Sequence, residues 1–402
     1  MQAEVPLSLS SSQKRQSIPS KSRIIRIASQ SGDQTGGGLI SFQIPHSGVY
    51  MKAGSAYIKF KIKATTTVGT EEWLFAGSCH SAAAVFQRYT LYGNSAVLEQ
   101  IGGYDKLYDA FLAHCSSDGF SAGDARILMD ARCAADVNVA TGGNAAASTV
   151  EVCVPLLSGV LNAAQHFPLW AVGGNLVLNF DLNTAANALQ ATANTITNFT
   201  ISAAELVFEQ IEPDAAFVMA MRQSLEAGQV YSLPFVAYRN VVASANQITA
   251  NQTLGLNVSS LRSVLWTNAA SKADTTGRAA LSSQDQKYAK LYIDGELATS
   301  FDILGAGAQS FAEMNRALGR INDTDRSSLR YLTPADYSAK YFLGGVNTTR
   351  TDQSDLTMNG TPVNVAQLEI EKTTPAAGSL YIWAVHDCLL QIGSGGSVIV
   401  RT

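Results

Sequence analysis

The chain has 402 residues, a length that favours two domains of similar size over one ordinary hydrophobic core. Its net charge of −4 argues against a general nucleic-acid binder, and its 46% hydrophobic and 15% charged residues argue against a disordered chain. No stretch approaches the ~18 apolar residues of a membrane-spanning helix. Residues 1–20 are polar and lack the apolar core of a secretory signal.

The five cysteines are irregularly spaced and form no Cys-x-x-Cys pair. They are Cys79, Cys115, Cys133, Cys153 and Cys388. An odd number with this spacing favours reduced, partly buried thiols over a disulfide framework. We therefore expect the protein to assemble in a reducing compartment.

Residues 1–37 predict a flexible basic N-terminal arm. The segment is rich in serine, and its basic residues face only Glu4 before Asp33. The candidate contact residues are Lys14, Arg15, Lys21, Arg23 and Arg26. Such an arm can touch a neighbouring subunit, a membrane surface or nucleic acid, and the alternative is a solvated tail. Residues 23–27 could also add a strand to a sheet.

Strand patterns dominate the rest of the chain. Residues 57–63 alternate, with Ile58, Phe60 and Ile62 on one face, and residues 175–182 alternate in the same way. Strands at this spacing, without regularly alternating helices, predict a mainly all-β fold of the sandwich or barrel type. We place two β-rich domains at 38–212 and 229–402. A linker with a helix that ends at Gly228 occupies 213–228.

One short pattern occurs in both halves. Residues 88–98 and 288–297 each read as an aromatic and aliphatic strand, a Gly/Asn/Asp turn and a return strand. The pairs Leu91-Tyr92 and Leu291-Tyr292 lie 200 residues apart, and a helical segment follows each copy. The repeat predicts one β-rich fold used twice.

Motifs for catalysis or ligand binding are weak. Residues 305–310 match only part of a dinucleotide fingerprint, and residues 322–325 resemble the start of a calcium loop without its closing glutamate. His386, Asp387 and Cys388 are adjacent, but neighbouring side chains of a strand point to opposite faces. We expect no enzyme activity, no cofactor and no metal site.

Several segments together resemble double jelly-roll major capsid proteins. This is the lineage of tailless membrane-containing phages, adenovirus-like hexons, and virophage and Polinton-like viruses. The shared pattern is a Pro-Leu turn, a small helix, a second Pro-Leu turn and then an amphipathic strand. These segments are 154–159, 167–170 and 174–178. Residues 42–45, 56–58 and 89–98 fit the first half, and 229–234 and 259–264 fit the second.

The resemblance implies two tandem eight-stranded jelly-roll β-sandwiches with short helices in their connections. It also implies a homotrimeric, pseudo-hexameric capsomer in an icosahedral virion shell that encloses the genome and is assembled inside the host cell. Residues 116–148 and 319–355 would be surface, tower or inter-subunit loops. Partners would be other copies of the chain, minor capsid and penton proteins, and an inner membrane or the genome through the arm.

Two other interpretations stay open at this stage. One is a trimeric carbohydrate-binding or fibre-like β-sandwich protein. The other is a secreted β-sandwich hydrolase, which the missing signal and the odd cysteine count weaken. A lectin should display an exposed aromatic platform, whereas all four tryptophans lie in apolar runs that read as strands: Trp73, Trp170, Trp266 and Trp383.

Overall fold

The computed structural model describes residues 20–66, 72–115, 124–132, 143–145, 148–191, 196–270, 281–299, 301–319, 333–349, 359–375 and 377–402. Antiparallel strands make up most of it, and short helices lie between them. Helix α4 (Ala215–Glu226) separates a first half, residues 20–213, from a second half, residues 229–402. The helix lies within the segment 213–228 that was predicted as a linker, and Gly228 after it has φ +92°.

The first half is built mainly from strands. They are β1 (Ser20–Ala28), β2 (Gln34–Thr35), β3 (Leu39–Ile44), β4 (Tyr50–Met51), β5 (Tyr57–Thr66), β6 (Trp73–Phe75), β7 (Phe86–Gly93), β8 (Ala96–Gly102), β9 (Thr149–Pro155), β10 (Phe167–Pro168), β11 (Leu176–Leu182), β12 (Leu189–Ala191) and β13 (Ile196–Pro213). The helices are α1 (Tyr104–Cys115), α2 (Ala125–Met129) and α3 (Ala185–Ala188).

The second half follows α4 with a similar mixture. Its strands are β14 (Tyr231–Ser244), β15 (Thr249–Ala270), β16 (Leu281–Ser282), β17 (Gln286–Ile293), β18 (Glu296–Leu297), β19 (Ile303–Leu304), β20 (Gly344–Asn347), β21 (Thr361–Lys372), β22 (Gly378–Ile392) and β23 (Val398–Arg401). Its helices are α5 (Ala308–Ala317) and α6 (Pro334–Lys340).

Two sheets face each other in the first half. One has the strand order β10-β4-β13-β5-β9, and β1 and β2 also pair with β13; the other has the order β3-β11-β7-β8. The predicted alternation is confirmed, because Ile58, Phe60 and Ile62 are fully buried on β5. Phe60 meets Phe86 of the other sheet at a ring distance of 5.6 Å. This sandwich core forms because each strand buries every second side chain.

The second half joins its two layers through one long strand. The order is β14-β22-β15-β21-β17-β18. Strand β15 pairs with β21 along its first part and with β22 along its last part, and the register shifts between Gly255 and Ser263. Asn257 within this region has a positive φ of 47°. These bulges bend β15, so it leaves one layer and enters the other.

The repeated hairpin is present in both halves, in separate sheets. Strands β7 and β8 turn at Asn94 and Ser95, with φ of 49° and 64°, and β17 and β18 turn at Asp294 and Gly295, with φ of 49° and 89°. Two positive φ values identify type I′ turns, whose twist matches the flanking strands. Helices α1 and α5 follow the two copies, as predicted.

The first strand of each half pairs with the last long strand of the same half. Strand β1 pairs with β13 from Ser20↔Pro213 to Ala28↔Glu205, and β14 pairs with β22 from Tyr231↔Ile392 to Ser244↔Ser379. The predicted flexible arm is therefore wrong for residues 20–28. They form an edge strand because Ile25 and Ile27 pack against the core while the backbone bonds to β13. Residues 1–19 lie outside the described residues.

The long segments expected on the surface are partly core. Ala125 and Met129 of α2 are fully buried, as is Phe342 after α6. Strand β20 pairs with β15 and places Val346 in the core. The loop prediction is wrong for these stretches because apolar residues within the polar segments reach back to the core. Most of 116–148 and part of 319–355 lie outside the described residues.

Candidate functional site

Helix α1 lies between the two halves. Its Phe111 ring contacts Tyr238 of β14 edge-on at 5.7 Å. Its His114 Nε2 lies 2.7 Å from the carbonyl oxygen of Tyr341, just after α6. Almost every residue of α1 is buried, including its charged ones. We call the contact of α1 and β8 with β14 and β22 the inter-half interface.

Two glycines let aromatic side chains of the second half approach the start of α1. The Trp383 indole Nε1 donates a hydrogen bond of 3.1 Å to the carbonyl of Gly102. Gly103 has φ +58°, and a Cβ there would lie 2.8 Å from the Tyr381 ring. The Tyr381 and Trp383 rings are stacked at 5.9 Å. Glycine is required at 103 by both the backbone conformation and the space.

The backbones of the halves also touch directly. A Cβ on Gly159 would lie 1.8 Å from the carbonyl oxygen of Val236 in β14. Farther along, the amide of Gly173 donates to the carbonyl of Gly396 at 3.1 Å. Gly159 closes the first Pro-Leu segment of the sequence, so that turn sits against the second half.

A carboxyl group is buried at the inter-half interface. Glu99 of β8 accepts hydrogen bonds from the Gly159 amide at 2.6 Å and from the Ser158 hydroxyl at 2.5 Å. Tyr89 donates to the same hydroxyl at 2.9 Å. Burial raises the pKa of Glu99 to about 7, although these hydrogen bonds oppose the shift. Burial also raises the pKa of Tyr238, and the nearby charge of Glu99 adds to that effect.

A second polar group links the halves through Ser78. Asp109 of α1 accepts from the backbone amides of Ser78 and Cys79 at 2.6 and 2.8 Å. The Ser78 hydroxyl donates to the carbonyl of Lys340 and accepts from the amide of Leu281 at 2.9 Å. One carboxylate thus holds a loop whose serine bonds two backbone groups of the second half.

Next to Asp109, Lys106 is paired rather than exposed. Its Nζ lies 3.1 Å from Asp105. Burial lowers the pKa of Lys106, but the carboxylate charges of Asp105 and Asp109 favour its charged form and the pKa is raised overall. A buried ammonium with carboxylate partners is a structural arrangement, and breaking it would leave an uncompensated charge.

The candidate arm residues fall into two groups. Lys14 and Arg15 lie outside the described residues. Lys21, Arg23 and Arg26 are exposed on β1, at the edge of the first sheet, where Ile24 is 72% exposed. Ion pairs of these three basic residues are absent from the part of the chain that the structure describes.

The adjacent His386, Asp387 and Cys388 do not form a nucleophile with its base. Cys388 Sγ lies 3.3 Å from His386 Nδ1, while Asp387 forms an ion pair with Arg262 at 2.6 Å, away from that pair. Burial raises the pKa of Cys388 to about 12 and lowers the pKa of His386. A reactive cysteine needs its thiolate form at neutral pH. With its raised pKa, Cys388 is instead a neutral thiol at neutral pH.

Metal-ligating side chains do not cluster in the described ranges. Within them, no group of three or more His, Cys, Asp or Glu side chains is placed to hold a metal ion. No helix among the same residues is long and apolar enough to cross a membrane.

Solved capsid structures are similar to this chain over nearly its whole length. A chain of the PBCV-1 virus capsid has a TM-score of 0.65 at 13% identity, covering 96% of this chain and 98% of that chain. The Faustovirus major capsid protein has a TM-score of 0.63 at 9% identity, covering 96% and 92%. The mavirus major capsid protein has a TM-score of 0.51 at 11% identity, covering 100% and 95%. No family model and no curated protein matches the sequence.

The chain has the double jelly-roll fold. At these low identities the likeness establishes the fold, and it extends over both halves.

In this double jelly roll, some residues at the inter-half interface lie in segments that the sequence analysis singled out, but their role in the contact was not predicted. Gly159 belongs to a segment that carried the resemblance, and Trp383 was placed in a strand. Glu99 was missed. Its signal is a carboxylate on a return strand whose other residues include Leu98 and Ile101, both buried. That signal is weak, because an exposed glutamate on an edge strand would have the same sequence pattern.

Proposed function

We propose that the protein is a major capsid protein whose copies form trimeric, pseudo-hexameric capsomers in an icosahedral shell around a viral genome. The observation that carries the proposal is the double jelly-roll fold shared with a PBCV-1 capsid chain over 96% of this chain. Its place would be the virion, after assembly inside the host cell. Its role would be mechanical rather than catalytic.

The internal duplication supports this proposal. Both halves carry a type I′ hairpin followed by a helix, and both pair their first strand with their last long strand. Two similar units side by side in one chain can supply six similar units from three chains. The domain limits 38–212 and 229–402 remain predictions, and the pairing of β1 with β13 favours starting the first unit at Ser20 or earlier.

Further partners are also proposals. Lys21, Arg23 and Arg26 are exposed basic residues of β1. Together with Lys14 and Arg15 they would meet a neighbouring subunit, an inner membrane or the genome. Minor capsid and penton proteins would complete the shell.

Size-exclusion chromatography with light scattering tests the capsomer. A stable particle of about 130 kDa, three times the 42.6 kDa chain, is expected. Electron microscopy of the same fractions should show hexagonal capsomers or closed shells. A monomer would contradict the proposal.

A trimeric carbohydrate-binding or fibre-like protein is the second candidate. The four tryptophans do not favour it, because Trp73, Trp266 and Trp383 are fully buried and Trp170 is 3% exposed. Glycan-array binding by a particle that forms no capsomers would favour this candidate over a capsid.

A further inference from the structure

The contact between the two halves is head-to-tail. The first half contributes the return strand of its hairpin, β8, and helix α1. The second half contributes its first strand, β14, whose Tyr238 meets Phe111 and whose Asn240 lies against Gly102. Each half therefore presents a different side to the other. Among the described residues of a single chain, the hairpin of the second half and the first strand of the first half take no part in this contact.

The unused hairpin side is in the second half, and the register identifies its residues. Val97 pairs with Tyr92, and Leu297 pairs with Tyr292. Gly102, which lies at the inter-half interface, pairs with Arg88. Leu304 pairs with Tyr288, the residue that corresponds to Arg88 in the repeat. Leu304 thus occupies the position of Gly102.

This hairpin side of the second half is apolar and exposed. Leu304 is 61% exposed, and Leu297 and Phe301 are also exposed. We call these three residues the hairpin patch. In the first half the interface residues at this place are covered by β14 and β22. Three large apolar side chains in water on one short stretch are typical of a protein–protein contact.

The unused first-strand side is β1 of the first half. Its Ile25 and Ile27 pack inward, so Ile24 and Arg26 project from the opposite face. Strand β14 turns Tyr238 and Asn240 from its corresponding outer face toward the first half. Ile24 is the large apolar residue on β1 that is left exposed in the single chain.

The two unused sides also carry charges of opposite sign. Arg26 is exposed on the same face of β1 as Ile24, while Asp294 and Glu296 are exposed beside Leu297. Opposite charges around an apolar centre favour one partner and one register over others.

We infer that the hairpin patch of one copy docks on the outer face of β1 of a second copy, with Ile24 at the centre of the contact. This inference rests on the proposed function and specifies its subunit interface. The contact between copies repeats the contact within the chain. Because it is head-to-tail, it continues from copy to copy until the ring closes.

Two substitutions test the inference by light scattering on the full chain. Ile24→Asp and Leu304→Asp each place a charge at the centre of the predicted contact, and both side chains are exposed, so the fold should be retained by circular dichroism. Each variant should run at one chain mass at concentrations where the wild type is trimeric. Met219→Asp, at a 66% exposed site on α4, is the matched control and should stay trimeric.

Mixing the two variants tests the head-to-tail direction. Ile24→Asp keeps an intact hairpin patch and Leu304→Asp keeps an intact β1, so one contact can form between them. Sedimentation at rising concentration should show the mixture stopping at two chain masses. A mixture that behaves like the single variants, or that reaches three chain masses, overturns the inference.

The outcomes separate this inference from the proposed function. A trimeric wild type whose two variants remain trimeric overturns the interface and leaves the capsomer standing. A monomeric wild type overturns both. Charge reversal supplies an independent check, since Arg26→Glu should weaken the trimer and lower its salt sensitivity.

Discussion

The indole of Trp383, in the second half, donates a 3.1 Å hydrogen bond to the carbonyl of Gly102, in the first half. Trp383 is fully buried, so its N–H has no access to water if this partner moves. The bond therefore ties the last long strand of one half to the end of a hairpin in the other.

Trp383→Phe should loosen the inter-half interface. It removes one buried hydrogen bond and part of a buried ring, and we expect a loss of about 2–3 kcal/mol of unfolding free energy. Trp266→Phe is the control, because its Nε1 bonds Gln286 inside the second half at 2.9 Å. Hydrogen exchange should speed up at residues 102–108 in the Trp383 variant alone. Equal exchange there in both variants would contradict this role.

Gly159→Ala should disrupt the packing of the halves. The added Cβ would lie 1.8 Å from the Val236 carbonyl oxygen, a backbone atom that cannot rotate away. We expect a loss of about 3 kcal/mol or more, or failure to fold. Gly174→Ala is the matched control, because a Cβ added there would have no neighbour within 4 Å and its φ lies outside the left-handed region. Thermal unfolding of the two variants should differ strongly.

Glu99 should make stability depend on pH near neutrality. Burial raises its pKa from 4.5 unfolded to about 7 folded, so the folded state holds the proton more tightly. Its contribution is complete below pH 4.5 and is lost as the pH rises through 7. The loss is on the order of 3 kcal/mol.

Denaturant unfolding of wild type and Glu99→Gln at about pH 5 and about pH 8, on either side of the folded-state pKa, measures this effect. The wild type should lose more stability than the variant between the two pH values, because glutamine does not titrate. Parallel pH profiles for the two proteins would show that Glu99 is not the group responsible.

Adding a glycine to one of the repeated turns should stabilise the protein, and removing the glycine from the other should destabilise it. Ser95 holds φ at +64°, which strains an L-residue, so Ser95→Gly should stabilise by roughly 0.5–1 kcal/mol. Gly295 holds φ at +89°, so Gly295→Ala should destabilise by about 1 kcal/mol. Melting temperatures check both. A change of the same sign in both variants would be inconsistent with paired type I′ turns.

Local patterns predicted the elements that local physics controls. The alternation of Ile58, Phe60 and Ile62 identified a half-buried strand, and the paired turns at Asn94 and Asp294 identified two hairpins. These predictions hold because strand periodicity and turn chemistry act between neighbours in the chain. The prediction of a flexible arm is wrong for 20–28, because the partner strand β13 lies far away in sequence.

By itself the sequence determined a β-rich chain used twice, with its hairpins, its linker helix and the resemblance to capsid proteins. Only the tertiary structure decided that α1 is buried between the halves, that Glu99 titrates there, and that Leu304 and Ile24 stay exposed. The physical reason is that burial and desolvation depend on which distant strands meet. Gly159 shows the limit: its local sequence indicates a turn, and only the carbonyl of Val236 explains why no side chain fits.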